Sequence, residues 1–186
     1  MLRDHAIRAL VRHRGDAVIV AVYQAAFDLM RIDPNPLNYV CVGAMGQASS
    51  HALGLALGQP ARRVIVLDGD GSLLMNLGSL VTIAGAGPRN LTHLVMDNGC
   101  YEANGSHPLP AQPDFCQLAR GAGIGDASSF DDLGAFAAAV PGLVTRPGPV
   151  FAALKVAPGE PSPQDYAALH GAQTRRAFRM AFNPPG

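Results

Sequence analysis

The sequence predicts an α/β protein in which a parallel β-sheet carries helices on both faces. Three observations lead there. Short apolar runs rich in β-branched residues recur along the chain, among them Ala17 to Val22 and Val64 to Leu67, and such runs suit strands buried on both faces. Helically patterned segments of about a dozen residues separate them, the alternation of a parallel sheet covered on both sides. Glycine-bearing turns follow several of the strands, at the sheet end where ligands bind.

Taken in order, Leu2, Ala6, Ile7, Ala9 and Leu10 recur at helical spacing and stop before Gly15, predicting an opening helix. Ala17 to Val22 reads as a buried strand. A helix over Ala25 to Ile32 ends at Asp33-Pro34-Asn35-Pro36, where two prolines remove backbone donors. Tyr39 to Val42 is the next strand. Gly46 to Leu57 is rich in Gly and Ala, which lets a helix pack close to a sheet. After the strand Val64 to Leu67 come a helix from Leu73 to Ala84, the strand Leu91 to Met96, and a polar loop from Asp97 to Pro113. Phe115 to Gly121 and Leu133 to Val140 read as helices, and Pro149 to Val156 as a strand. Pro158 to Pro163 is a proline-rich connector before a terminal helix, Gln164 to Phe182, that bears Arg175, Arg176 and Arg179. Those arginines mark either a solvated face or a contact for a partner or acidic substrate.

At 186 residues the expected organisation is one domain over 1–186. Hydrophobic residues make up 48% and charged residues 15%, which excludes disorder and leaves little charged surface. With 14 basic and 14 acidic side chains in balance, no basic excess exists to bind nucleic acid. Near-zero charge favours assembly with another chain. Cys41, Cys100 and Cys116 form no CxxC pair, so neither a disulfide scaffold nor a zinc site is indicated. Charges interrupt the first fourteen residues, unlike a signal peptide, and no run reaches the roughly 18 apolar residues of a membrane span. A cytoplasmic protein with no membrane partner is expected.

The chemistry concentrates after the strand Val64 to Leu67, in Asp68-Gly69-Asp70-Gly71-Ser72 at a helix start. Such a helix start presents free N–H groups to anions, and glycines let the backbone approach. An Asp there repels a bare phosphate, so it suggests a cation between them, most plausibly Mg²⁺. The same string also suits an ordinary turn. A second oxygen-rich turn, Asp97-Asn98-Gly99-Cys100-Tyr101, follows the next strand, where Asp70 and Asn98 can converge on one hard cation. Gly43-Ala44-Met45-Gly46 stands at a third strand end.

Together, Gly69-Asp70-Gly71-Ser72, Met75-Asn76-Leu77-Gly78-Ser79-Leu80, Pro88-Arg89-Asn90-Leu91, Asp97-Asn98 and Tyr101 resemble the thiamine-diphosphate-binding motif of the thiamine-dependent 2-oxo acid decarboxylases. Gly43-Ala44-Met45-Gly46-Gln47-Ala48-Ser49-Ser50 is similar to the G-S-M-G-x-A-S stretch of the sulfopyruvate and phosphonopyruvate decarboxylases. The resemblance is clear from Gly43 to Gly105, and it implies a Rossmann-like three-layer sandwich, the thiamine-diphosphate-binding fold. It also implies that Asp70 and the Asn98 side chain bind Mg²⁺, with the backbone carbonyl of Cys100 as third ligand. By the same likeness, Gly71, Ser72 and Ala103 donate backbone N–H groups to the diphosphate. Gly43 accepts a hydrogen bond from the aminopyrimidine, and Met45 is the apolar wedge under the cofactor or, on a plainer reading, core filling. Ala44, Gly69 and Tyr101 complete the implied cofactor set.

In that family the thiazolium is an electron sink for decarboxylation, and a glutamate on a separate pyrimidine-binding domain activates the cofactor. Such a domain needs roughly another 150 residues. The resemblance therefore implies one half of a split enzyme, similar to the β subunit of sulfopyruvate decarboxylase. A pyrimidine-binding α subunit would supply the activating glutamate in a hetero-oligomer. The expected function is decarboxylation of a small anionic 2-oxo acid, with a carboligase of the acetolactate-synthase type or a non-catalytic cofactor-binding module as alternatives.

Two stretches depart from the family pattern: Asn104-Gly105-Ser106-His107 after Tyr101, and Val22-Tyr23-Gln24 after the first strand. His107 either orients substrate and shuttles a proton or caps a loop turn. His51, Arg89 and His93 are expected to serve the fold, and Asp68 to brace the loop or a metal-bound water.

Overall fold

The structure, a computed structural model, describes residues 1–157 and 162–183, with Ala168 by its backbone alone. Among the described residues six strands form one sheet: β1 Val18–Ala21, β2 Asn38–Val40, β3 Val64–Gly69, β4 Leu91–Asp97, β7 Asp126–Phe130 and β8 Val150–Lys155. Their order is β2-β1-β3-β4-β8-β7, parallel throughout. A two-stranded hairpin, β5 Cys100–Tyr101 with β6 His107–Pro108, follows β4.

The strand period of two assigns each side chain to a layer. Ile65, Leu67, Leu94 and Met96 face a core shared with α1 Arg3–Val11, α2 Tyr23–Ile32 and α7 Leu133–Thr145. Val64, Val66, Leu91 and Val95 face the other core, with α3 Ala48–Gly58, α4 Asp70–Met75, α5 Ser79–Ala86 and α6 Phe115–Gly121. Helices, sheet and helices make the expected three layers. The side chains of Phe115, Phe136 and Phe151 are fully buried, each worth about 1.5–3 kcal/mol relative to exposure.

Five elements differ from their sequence patterns, the first being the hairpin β5–β6, which lies inside the stretch Asp97 to Pro113 expected as a loop. The helix expected over Leu73 to Ala84 is two helices, because Asn76 turns its side chain to the Gly46 carbonyl and the chain bends through Leu77 and Gly78. The strand β7 was not foreseen; its Asp126-Ala127-Ser128-Ser129-Phe130 is polar because it lies at the sheet edge and is partly exposed. The helix read as ending at Val140 continues through Pro141, which is itself exposed, and so buries Leu143 and Val144. The terminal helix breaks at Gly171 into α8 Tyr166–His170 and α9 Ala172–Phe182. Of the connector Pro158 to Pro163, residues 158–161 lie outside the described residues.

Two contacts fasten the periphery. Asn90, buried just before β4, points its Nδ2 at the carbonyls of Ala56, Gln59 and Arg62 at 3.0, 3.1 and 2.7 Å, closing the end of α3 onto the sheet. The α9 helix packs against the edge strand β2: the Phe178 ring meets Tyr39 edge-on at 5.2 Å, and Phe182 stacks on Phe178. Arg175, Arg176 and Arg179 of α9 are exposed. No helix among the described residues is long and apolar enough to cross a membrane.

Candidate functional site

The strand order reverses at β1, with β2 on one side and β3 on the other. Reversal in a parallel sheet opens a crevice beyond the carboxyl ends of the strands. A cleft lies there. Its walls are Val22 to Ala25 after β1, Met45 after β2, Gly69 to Ser72 after β3, and Asn98 with Cys100 to Ala103 after β4; Arg3 and Met96 complete it.

Asp70 opens α4 and is 2% exposed. Its carboxylate accepts the Gly71 N–H at 2.7 Å and, across the strand ends, the Gly99 N–H at 2.6 Å. Burial pushes the Asp70 carboxyl above its usual range, while N–H donation from Gly71 and Gly99 opposes the shift. Beside it, Asn98 accepts the Cys100 N–H on Oδ1 at 3.0 Å and donates from Nδ2 to Glu102 at 2.9 Å.

The loop bearing Met45 is held by the motif itself. Gly46, at φ 82°, donates its N–H to Ser72 Oγ at 3.0 Å and accepts from Asn76 Nδ2 at 2.9 Å. A second tie joins Ser49 Oγ to Ser79 Oγ at 2.8 Å. Thus Ser72 and Asn76 of the sequence motif fasten α4 to the Met45 loop, and Ser79 fastens α5 to the first turn of α3. At Gly71 the Tyr101 ring approaches so closely that a Cβ would stand 2.5 Å from it, so the backbone there is bare of side chain.

Gly69, Asp70, Gly71, Ser72, Met45, Asn98, Cys100, Tyr101 and Ala103 therefore share one cleft. Gly43 and Ala44 precede Met45 but are not among its described lining residues. His107 lies exposed on β6, paired with Tyr101. Asp68 and His93 pair in the core at 3.2 Å, each about 1% exposed, and Asp68 also accepts the Gly69 N–H at 3.0 Å. His51 is exposed, 3.4 Å from Cys41 Sγ, and Arg89 is exposed.

Sequence reasoning missed a charged chain behind the cleft. Arg3, 3% exposed, donates from Nε to Asp28 at 2.7 Å and pairs through Nη1 with Glu102. Asp28, 1% exposed, also accepts from Ser162 Oγ. The available signal was Asp28 itself, a lone acid among the apolar residues Phe27, Leu29 and Met30.

The cleft fits a diphosphate and a hard cation by its own chemistry. Asp70, the Asn98 amide and the nearby backbone carbonyls are oxygen donors of the kind Mg²⁺ takes, and the backbone at Gly69, where a Cβ would meet nothing closer than 3.9 Å, leaves room for phosphate oxygens. Among the described residues no group of three His, Cys, Asp or Glu converges on a metal position.

Residues 17–153 match the family described as thiamine pyrophosphate enzyme, C-terminal TPP binding domain. The chain belongs to this family. This thiamine pyrophosphate domain is 44% identical over 133 residues to sulfopyruvate decarboxylase subunit beta of Methanothermobacter thermautotrophicus, covering 71% of this chain and 69% of that one. It is 34% identical over 176 residues to phosphonopyruvate decarboxylase of Streptomyces viridochromogenes, covering 92% of this chain but only 43% of the relative. A solved Mycobacterium smegmatis chain assigned to the thiamin diphosphate-dependent enzymes superposes with a TM-score of 0.70 at 23% identity, over 88% of this chain and 32% of that one. That likeness speaks for the fold of the thiamine pyrophosphate domain.

Proposed function

We propose that the chain is the diphosphate- and Mg²⁺-binding subunit of a thiamine-diphosphate-dependent decarboxylase for a small anionic 2-oxo acid of the sulfopyruvate or phosphonopyruvate type. The observation that carries this is the meeting of Asp70 and Asn98 in one cleft at neighbouring strand ends. When bound, thiamine diphosphate supplies an electron sink for the charge left as a 2-oxo acid loses CO₂.

The chain's own residues bind and orient. Asp70, the Asn98 carboxamide oxygen and the Cys100 carbonyl hold the cation, and backbone N–H groups of Gly71, Ser72 and Ala103 take the diphosphate. Met45 supports the organic part of the cofactor, with Gly43 contributing its carbonyl at the aminopyrimidine. Gly69 and Tyr101 line the same space. The activating glutamate comes from a pyrimidine-binding α subunit docked over these loops, in keeping with the subunit naming of the sulfopyruvate decarboxylase relatives.

The test combines binding with turnover. Thiamine diphosphate uptake is expected to require Mg²⁺ and to be lost in Asp70→Ala and Asn98→Ala. CO₂ release from sulfopyruvate or phosphonopyruvate is expected only when the α subunit is added. Robust turnover by the pure chain, or metal-independent uptake, refutes the proposal. The similarity to acetolactate synthases, 34% over 133 residues for a rice relative, favours a second reading, carboligation of pyruvate, which the same assay distinguishes by its product.

A further inference from the structure

We propose that Glu102 sets which end of the Asn98 carboxamide faces the cation, and that Arg3 holds Glu102 in place for this task. The proposal rests on the reading of Asn98 as a Mg²⁺ ligand and extends it to two positioning residues.

A carboxamide is nearly symmetric in shape but not in chemistry. Its oxygen accepts and its nitrogen donates two hydrogens, so only the oxygen end can bind a hard cation. Rotation by half a turn would present N–H groups to the metal and abolish binding without moving the backbone. Something must therefore choose the end. Glu102 Oε2 takes Asn98 Nδ2 at 2.9 Å, and a carboxylate, having acceptors only, selects the NH₂ end. The Cys100 N–H at 3.0 Å and, more weakly, the Cys100 thiol at 3.4 Å donate to Oδ1 and select the oxygen end from the other side; a cation at that oxygen would take the place of the weak thiol donor. The amide is pinned at both ends.

Glu102 needs support of its own, because it sits in a three-residue 3₁₀ turn, Glu102–Asn104, on the wall of the cleft. The support comes from Arg3, far away in sequence. Arg3 is 3% exposed, and its guanidinium is itself fixed by Asp28, 1% exposed, at 2.7 Å. One planar fork thus joins two carboxylates, and the one on the site side is committed to Arg3 and Asn98. Outer partners that orient metal ligands in this manner commonly matter 10- to 100-fold in affinity.

Mn²⁺ serves as the probe, with bound ion read from loss of the free-ion electron paramagnetic resonance signal. The full chain is titrated at saturating thiamine diphosphate, with thermal unfolding recorded for each variant. Glu102→Ala is expected to weaken Mn²⁺ binding by about 10-fold or more. Glu102→Gln, whose amide oxygen still accepts from Asn98, is expected to stay near the parent. In Asn98→Asp both ends are oxygens and no orientation remains to be chosen, so adding Glu102→Ala there should cost nothing further. Arg3→Met should follow Glu102→Ala in direction, again only where Asn98 is present. Parental Mn²⁺ binding in Glu102→Ala, or an equal loss in the Asn98→Asp background, overturns the proposal while leaving the metal reading intact. Unchanged binding in Asn98→Ala, or no saturable uptake by the parent, overturns the metal reading and this proposal together.

Discussion

Asp70 Oδ2 and the backbone N–H of Gly99 stand 2.6 Å apart, so the first residue of α4 is tied to the turn that follows β4. The tie holds the two loops together before any cation arrives, and it keeps a carboxylate in a buried place where its charge is unfavourable. A cation would relieve that cost. Asp70→Asn should therefore weaken Mg²⁺-dependent thiamine diphosphate uptake beyond the roughly 100-fold typical of outer-shell changes, measured by calorimetry.

The same residue predicts a pH effect with a definite sign. Because burial raises the Asp70 pKa in the folded chain, the folded state holds that proton more tightly than the unfolded one. Its contribution to stability is greatest at low pH and falls as pH rises from the ordinary carboxylate value, about 3.9, through the raised one. Without metal, Asp70→Asn should be the more stable protein at neutral pH, and its advantage should shrink on acidification, as followed by thermal melts.

Gly71→Ala should destabilise by about 1–3 kcal/mol, the usual cost of overpacking. The added Cβ would stand 2.5 Å from the Tyr101 ring. In a double-mutant cycle Tyr101→Ala should remove most of that penalty, and urea unfolding of the four proteins measures it.

Asn90 offers a test of polarity at constant shape. Asn90→Ala leaves the Ala56, Gln59 and Arg62 carbonyls without their shared donor, which should cost about 1–3 kcal/mol. Asn90→Asp, which turns an acceptor toward those three acceptors, should cost more than the alanine in urea unfolding at neutral pH.

Burial raises the Cys41 thiol to about 12, so at pH 8 it is neutral and, at 3% exposure, poorly reachable. Cys100 is only half-buried and lines the cleft, though burial and the nearby Asp70 and Glu102 also raise its thiol. Iodoacetamide labelling of the native chain, read by peptide mass, should modify Cys100 first, faster as pH climbs above 8. Mg²⁺ with thiamine diphosphate should slow it.

What the sequence made legible follows from what is locally determined. The run Val64 to Leu67 announces a strand because it is apolar on both faces, Leu91 to Met96 does so with only Thr92 and His93 polar, and β3 and β4 contain them in full. Phe115 to Gly121 is a helix over those same residues. The edge strand β7 was hidden because partial exposure lets Ser128 and Ser129 occupy it, and its pairing with β8 is a tertiary fact. The break after Met75 was hidden likewise, since the bond that turns Asn76 away comes from Gly46, thirty residues earlier. In the cleft, Asp70, Asn98 and Met45 stood in readable motifs. Arg3 and Glu102 did not, because a pair separated by |i−j| = 99 leaves no spacing to read.

The packing of α9 on β2 bears on self-association. A sheet edge with free N–H and C=O groups is a template for pairing with another chain. Here β2 is three residues long and α9 lies against it, with Phe178 on Tyr39. Removing Ala172–Phe182 would uncover the Tyr39 ring and the apolar face that Phe178 and Phe182 pack on. The arginine-rich helix thus acts as an amphipathic cover for this face, its phenylalanines inward and Arg175, Arg176 and Arg179 outward, and losing it would leave an apolar patch open to association.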